Sequence, residues 1–266
     1  MPVQLDLGQI KAESRSLLRS GTVSPYKATA LLLAITLVLD VIDAAVSYMI
    51  DTSGGLTVLS FSFVSILVSL ISIVLNAGYL CYCLGIRRGE HMPYESLFDA
   101  FSFAGKAILL SIVEGIFIFL WSLLFVVPGI IAAYRYSFAM MNLCDNPGLG
   151  VMEALDLSKR QTLGWKLELF KLDLSYLGWN LLASLPSLYW DFKLYFQVLS
   201  DPYAVLTVST SLTEILVSGI WALVVSLFYM PGWQCVMLDY FDAARAASSG
   251  GKAALPEEGP DDSEGF

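Results

Sequence analysis

Residues Thr52 to Ile86 read TSGGLTVLSFSFVSILVSLISIVLNAGYLCYCLGI, 35 residues without one Asp, Glu, Lys, Arg or His. About 20 apolar residues cross a hydrocarbon core of ~30 Å, and a charge-free run of 18 or more already reads as a spanning helix. Lipid is therefore the solvent for this chain. The composition agrees: 56% of the 266 residues are hydrophobic and 15% are charged, with a mean hydropathy of +0.67, against roughly 25% charged in a soluble domain. The net charge of -9 owes much to Glu257, Glu258, Asp261, Asp262 and Glu264 near the C-terminus. No nucleic-acid partner is expected.

Further apolar segments flank this run, at about 27–50, 107–127, 130–144, 172–190 and 212–230. With 56–84 they make six, which predicts an all-α, polytopic bundle of six transmembrane helices. Of the 15 Lys and Arg, 13 fall on one side of such a threading, with Lys193 on the other and Arg135 inside a segment. The positive-inside rule then predicts that both termini are cytoplasmic. The expected divisions are a polar, amphipathic N-terminal segment (1–26), the membrane domain (27–245) and a disordered acidic tail (246–266). No cleavage site follows the first apolar segment, so it is expected to stay as an anchor. Cys81, Cys83, Cys144 and Cys235 are expected as reduced thiols on the cytoplasmic side.

Pro128-Gly129 is expected to turn the third helix sharply into the fourth, which is short at about 22 Å by 1.5 Å per residue. Two cytoplasmic loops read as amphipathic helices on the membrane surface. In the first, Leu97, Phe98 and Phe101 share a face; in the second, Val151, Met152 and Leu155 oppose Glu153, Asp156 and Arg160. Both suit plain linkers or the docking of a cytosolic protein partner.

The stretches Leu97-Phe98-Asp99-Ala100-Phe101, Val127-Pro128-Gly129-Ile130, Glu153-Ala154 with Ser158-Lys159, Gly164-Trp165-Lys166, Leu169-Phe170 and Leu177-Gly178-Trp179 occur in this order. In this the chain resembles a bacterial family of integral membrane proteins, domain of unknown function 975, over roughly residues 87–182. The family usually carries Pro-Tyr after its last span, where this chain has Pro231-Gly232. The resemblance implies a polytopic membrane protein and no particular activity.

The polar residues inside apolar segments are the candidates for function. Asp40 and Asp43 lie one turn apart on the first helix, Glu114 on the third, Arg135 on the fourth and Glu214 near the start of the sixth. An ionised group near the bilayer centre costs about 2.5–3.5 kcal/mol, so the deeper ones should face protein or water. Arg135 with Asp43 or Asp40 is the expected pair, read either as a structural ion pair or as part of a substrate or ion path. On the second helix Ser62, Ser65, Ser69, Ser72, Asn76, Tyr79 and Cys83 recur at steps of three and four and share one face. Such a stripe suits close helix packing or the wall of a path. Phe125-Val-Val-Pro128-Gly129 faintly echoes Phe228-Tyr-Met-Pro231-Gly232.

No catalytic set is present. His91 is the only histidine, no metal or cofactor site is expected, and no phosphate-binding loop or nucleophile motif appears. The chain is expected not to be an enzyme. Transport or export of a small solute, ion or lipid-like molecule is one expectation; a non-catalytic scaffold or assembly factor, engaging its partner through the cytoplasmic loops and tail, is the other.

Overall fold

The computed structural model describes residues 25–53, 58–200 and 212–252. Among them there are helices and turns and no strand, as lipid demands of a chain that must satisfy its backbone within each segment. The order is α1 (Pro25–Ser53), α2 (Val58–Arg87), a 3₁₀ helix (Tyr94–Phe103), α3 (Ala104–Leu124), α4 (Val126–Tyr136), α5 (Ala139–Asp145), α6 (Val151–Gln161), α7 (Lys166–Ser200) and α8 (Leu212–Lys252). Helices covering Tyr26–Val46, Phe63–Arg87, Tyr94–Leu124 and Thr213–Ser248 are long and apolar enough to cross a membrane. The α7 helix has the length but is diluted by Ser175, Tyr176, Asn180, Ser184 and Ser187.

Helix α2 is the centre. It packs on α1, the 3₁₀ helix, α3, α5 and α8, while α7 runs along α8 and α3 pairs with α4. The buried side chains gather where the helices carry Arg87, Lys106, Lys159 and Arg245: Tyr79, Tyr82, Leu97, Phe138, Trp165 and Phe241 are all nearly or fully enclosed. Ring pairs hold this core, with Phe138 edge-on to Phe241 at 5.5 Å and Trp165 to Tyr240 at 5.9 Å. At the opposite end the apolar side chains are left outward, among them Phe119, Leu123, Phe125 and Val126. Such a surface suits a bundle facing lipid.

Charged groups tie the basic end. Arg87 pairs with Asp239 and, at 2.5 Å, with Asp242; Arg88 and Arg245 both pair with Asp145. Most of these side chains reach solvent, so each pair contributes at most about 1 kcal/mol, and their joint effect is to fix the ends of α2, α5 and α8 together.

The turn between α3 and α4 is made by Phe125, extended at φ -163, ψ 156, not by Pro128-Gly129. Pro128 stands in the first turn of α4, where a helix has no partner for the N–H that proline lacks. The first intrahelical donor is Gly129, whose N–H reaches the Phe125 carbonyl at 3.3 Å. A Cβ on Gly129 would lie 2.1 Å from the Ser122 Oγ, so this glycine serves the close approach of α3 and α4.

The expected fourth segment, 130–144, is interrupted at Ser137-Phe138, where Phe138 has φ -94, ψ 0. Ser158 of α6 repairs the break: its hydroxyl accepts the Phe138 N–H at 3.2 Å and donates to the Arg135 carbonyl at 3.0 Å. Asn142 and Gln161 add a buried reciprocal amide pair at 2.8 and 3.0 Å. Helix α6 is therefore packed into the bundle by Ala154, Leu155 and Ser158, and Met152 points outward. Its amphipathic face is real, but polar groups share it.

In the first loop the period is three, not 3.6, so Leu97 and Ala100 turn inward while Phe98 and Phe101 stay exposed. Gly164, at φ +85, occupies the left-handed region between α6 and α7, which lets Trp165 enter the core. Helix α7 carries Asp191 and Lys193, expected in a loop, as part of its 35 residues. Helix α8 passes through Pro231 and reaches Lys252, beyond the expected tail boundary. The Phe125 and Phe228 segments thus occupy unlike places, a helix start and a helix interior. Residues 1–24 and 253–266, most of the expected N-terminal segment and tail, lie outside the described residues.

Candidate functional site

A cavity of about 790 Å³ opens between α2, α3, α4, α7 and α8. From α2 come Ser72 and Asn76, two members of the polar stripe; from α3, Ser111 and Glu114, one turn apart. Tyr134 and Ser137 enter from the end of α4, Asp173 from α7, and Trp233 and Gln234 from α8. Met140, Met141, Met230 and Met237 complete the wall with flexible, polarisable surface.

A second cavity of about 620 Å³ lies beside it, between α7 and α8, with Phe170, Leu177, Asn180 and Tyr229 in its wall. The two share Tyr134, Asp173, Met230 and Trp233. Asp173 is the hub of this partition. The Tyr134 hydroxyl donates to its Oδ2 at 2.8 Å and the Trp233 indole N–H to its Oδ1 at 3.0 Å. Each carboxylate oxygen thus holds one aromatic ring in place, and hydrogen bonds to a charged acceptor are worth about 1.5–3 kcal/mol.

The expected site residues divide into two groups. Ser72, Asn76 and Glu114 meet at the larger cavity. The Nδ2 of Asn76 donates to the Ser72 carbonyl at 2.8 Å, leaving its oxygen unused, and Glu114 makes no hydrogen bond or ion pair with a described residue. Ser65 and Ser69 line neither cavity; the Ser69 hydroxyl turns back to the Ser65 carbonyl at 2.9 Å. They occupy the upper stripe, where α2 has few buried neighbours.

Arg135 forms no ion pair with Asp40 or Asp43. The reason is architectural: α1 packs on α2 and α8, whereas α4 packs on α3, α6 and α7. On α6 the hydrogen-bonded ammonium of Lys159, with smaller contributions from Arg160 and Arg135, holds the exposed Asp156 carboxyl below the usual carboxylate range. Asp40 is exposed on α1, and Asp43 is half-buried with an enclosed Oδ1 that has no partner. Neither of these two cavities is lined by Asp40, Ser69 or Arg135.

Asp173, Tyr134 and Trp233 were not among the residues picked from sequence. A usable signal existed: Phe170, Asp173, Leu177 and Asn180 follow at steps of three and four, so an acid and an amide share an apolar face of α7. Among the described residues no group of three or more His, Cys, Asp and Glu is placed to hold a metal ion.

Residues 123–241 match the family described as "Protein of unknown function (DUF975)", the family that the sequence motifs indicated. The matched stretch runs from the end of α3 into α8 and so contains Tyr134, Asp173 and Trp233. The upstream Leu97–Phe101 motif and Glu114 fall outside it. Neither a curated protein nor a solved structure matches the chain.

Proposed function

We propose that this chain is a six-pass protein of a bacterial inner membrane, with both termini cytoplasmic, that moves a small solute through the cavity between α2, α3, α4, α7 and α8. The observation that carries this reading is the lining: Ser72, Asn76, Ser111, Glu114, Ser137 and Gln234 converge on about 790 Å³ within helices built for lipid. Polar groups at such depth are costly unless they meet water, protein or a ligand. Here they meet an open volume. The α4–α5 unit and α7 supply the fourth and fifth passes, and the packed, basic end faces the cytosol.

Cysteine accessibility tests it. In a background with the four native cysteines replaced by serine, Ser111→Cys and Ser137→Cys are exposed to a membrane-impermeant cationic methanethiosulfonate, in intact cells and in inverted vesicles. Transport expects reaction from both sides of the membrane. Protection from both would overturn it.

A second reading, a scaffold or assembly factor, draws support from the outward rings of Phe98 and Phe101, 6.2 Å apart on the 3₁₀ helix. On that reading the cavity only relieves packing, and both cysteines stay unreactive.

A further inference from the structure

Taking the larger cavity as the binding site, we propose that its ligand is an amphipathic organic cation, a substituted ammonium or phosphonium with an apolar body. Three features of the lining point to this chemistry. Its charged residues are Glu114 and Asp173, and it contains no Lys, Arg or His, so a cation is attracted and an anion is repelled. The carboxylate of Glu114 has no partner among the described residues, whereas Asp173 is already engaged by Tyr134 and Trp233. Glu114 is therefore the counter-ion left vacant for a ligand.

The remaining wall suits what the cation carries. Trp233, Tyr134 and the four methionines offer aromatic and polarisable surface, to which a weakly hydrated cation is drawn. The bonds to Asp173 hold both rings in place before any ligand arrives, which lowers the ordering cost of binding. Size argues against a bare ion: about 790 Å³ lies within the 300–1,000 Å³ usual for small organic ligands. Ser72, Asn76 and Ser111 supply the few polar contacts that orient such a molecule.

Equilibrium dialysis of the full chain in neutral detergent, against protein-free micelles, tests the inference with two ions of equal shape and opposite charge. Tetraphenylphosphonium should bind saturably at one per chain, and tetraphenylborate should not. Glu114→Gln, with folding checked by thermal unfolding, should weaken the cation about tenfold or more. Non-saturable cation binding, equal binding of the two ions, or full affinity in folded Glu114→Gln would overturn it. The wild-type comparison decides alone if the variant does not fold. Binding in detergent is independent of two-sided access, so loss of the transport reading and loss of this one are separately visible.

Discussion

The indole N–H of Trp221 on α8 donates at 2.8 Å to the carbonyl of Leu182 on α7, the carbonyl whose helical donor is removed by Pro186 four residues on. A backbone acceptor freed inside a helix needs another donor. Trp221 provides it and so fixes the register of the two longest helices. Trp221→Phe should lower stability by about 0.6–1.7 kcal/mol, the range found for hydrogen bonds between membrane helices. Pro186→Ala restores an N–H at position 186, and in that background the loss should shrink. Thermal unfolding of the four proteins of this cycle in detergent measures it; an undiminished loss in the alanine background would refute the pairing.

Ser158→Ala should expose the repair of the broken helix. The Arg135 carbonyl keeps Thr162, whose hydroxyl donates to it at 3.2 Å, but the buried Phe138 N–H loses the oxygen it donates to. A cost of about 1–3 kcal/mol follows from an orphaned buried donor. Hydrogen exchange resolved at Phe138 should accelerate, while Thr162→Val should change that amide far less.

Two glycines of the motif series should behave oppositely. Gly129→Ala places a Cβ 2.9 Å from the Ser122 Cα, a backbone atom, so α3 and α4 must separate at a cost of about 1–3 kcal/mol. Gly178 has nothing within 4 Å of an added Cβ, and Gly178→Ala should stabilise α7 by up to about 1 kcal/mol. Unfolding midpoints in one detergent compare them directly.

Asp145 joins Arg88 and Arg245 at a partly solvated surface. Asp145→Asn should cost about 1–2 kcal/mol at low ionic strength, and the difference from wild type should shrink in 0.5 M salt as screening lengths fall to a few ångströms.

The helices and their apolar faces were legible because lipid writes them large: a charge-free run such as 58–86 has no other use. The places where helices break were not. Pro128 reads as a turn, yet proline is at ease in a first helical turn, and the actual reversal at Phe125 leaves no local mark. The Ser137-Phe138 break depends on Ser158, twenty residues away, which no window of sequence joins to it. The lining of the candidate site was legible only in part, for the same reason. Ser72, Asn76 and Glu114 stand out as polar groups among apolar neighbours, but pairing Arg135 with Asp43 assumed that equal depth means contact, and the packing of α1 away from α4 undoes that. Asp173 sits close to Lys166 and Lys171, where an acid reads as solvated surface.

Every depth in this account depends on how the chain is threaded, and the most direct measurement is a pair of reporter fusions at one point, after Lys252. Green fluorescent protein there should fluoresce and alkaline phosphatase there should be inactive, while phosphatase inserted after Gly55 should be active. Active phosphatase after Lys252 would place the basic, packed end outside the cytosol and contradict the proposed six-pass topology together with the cavity's two-sided path.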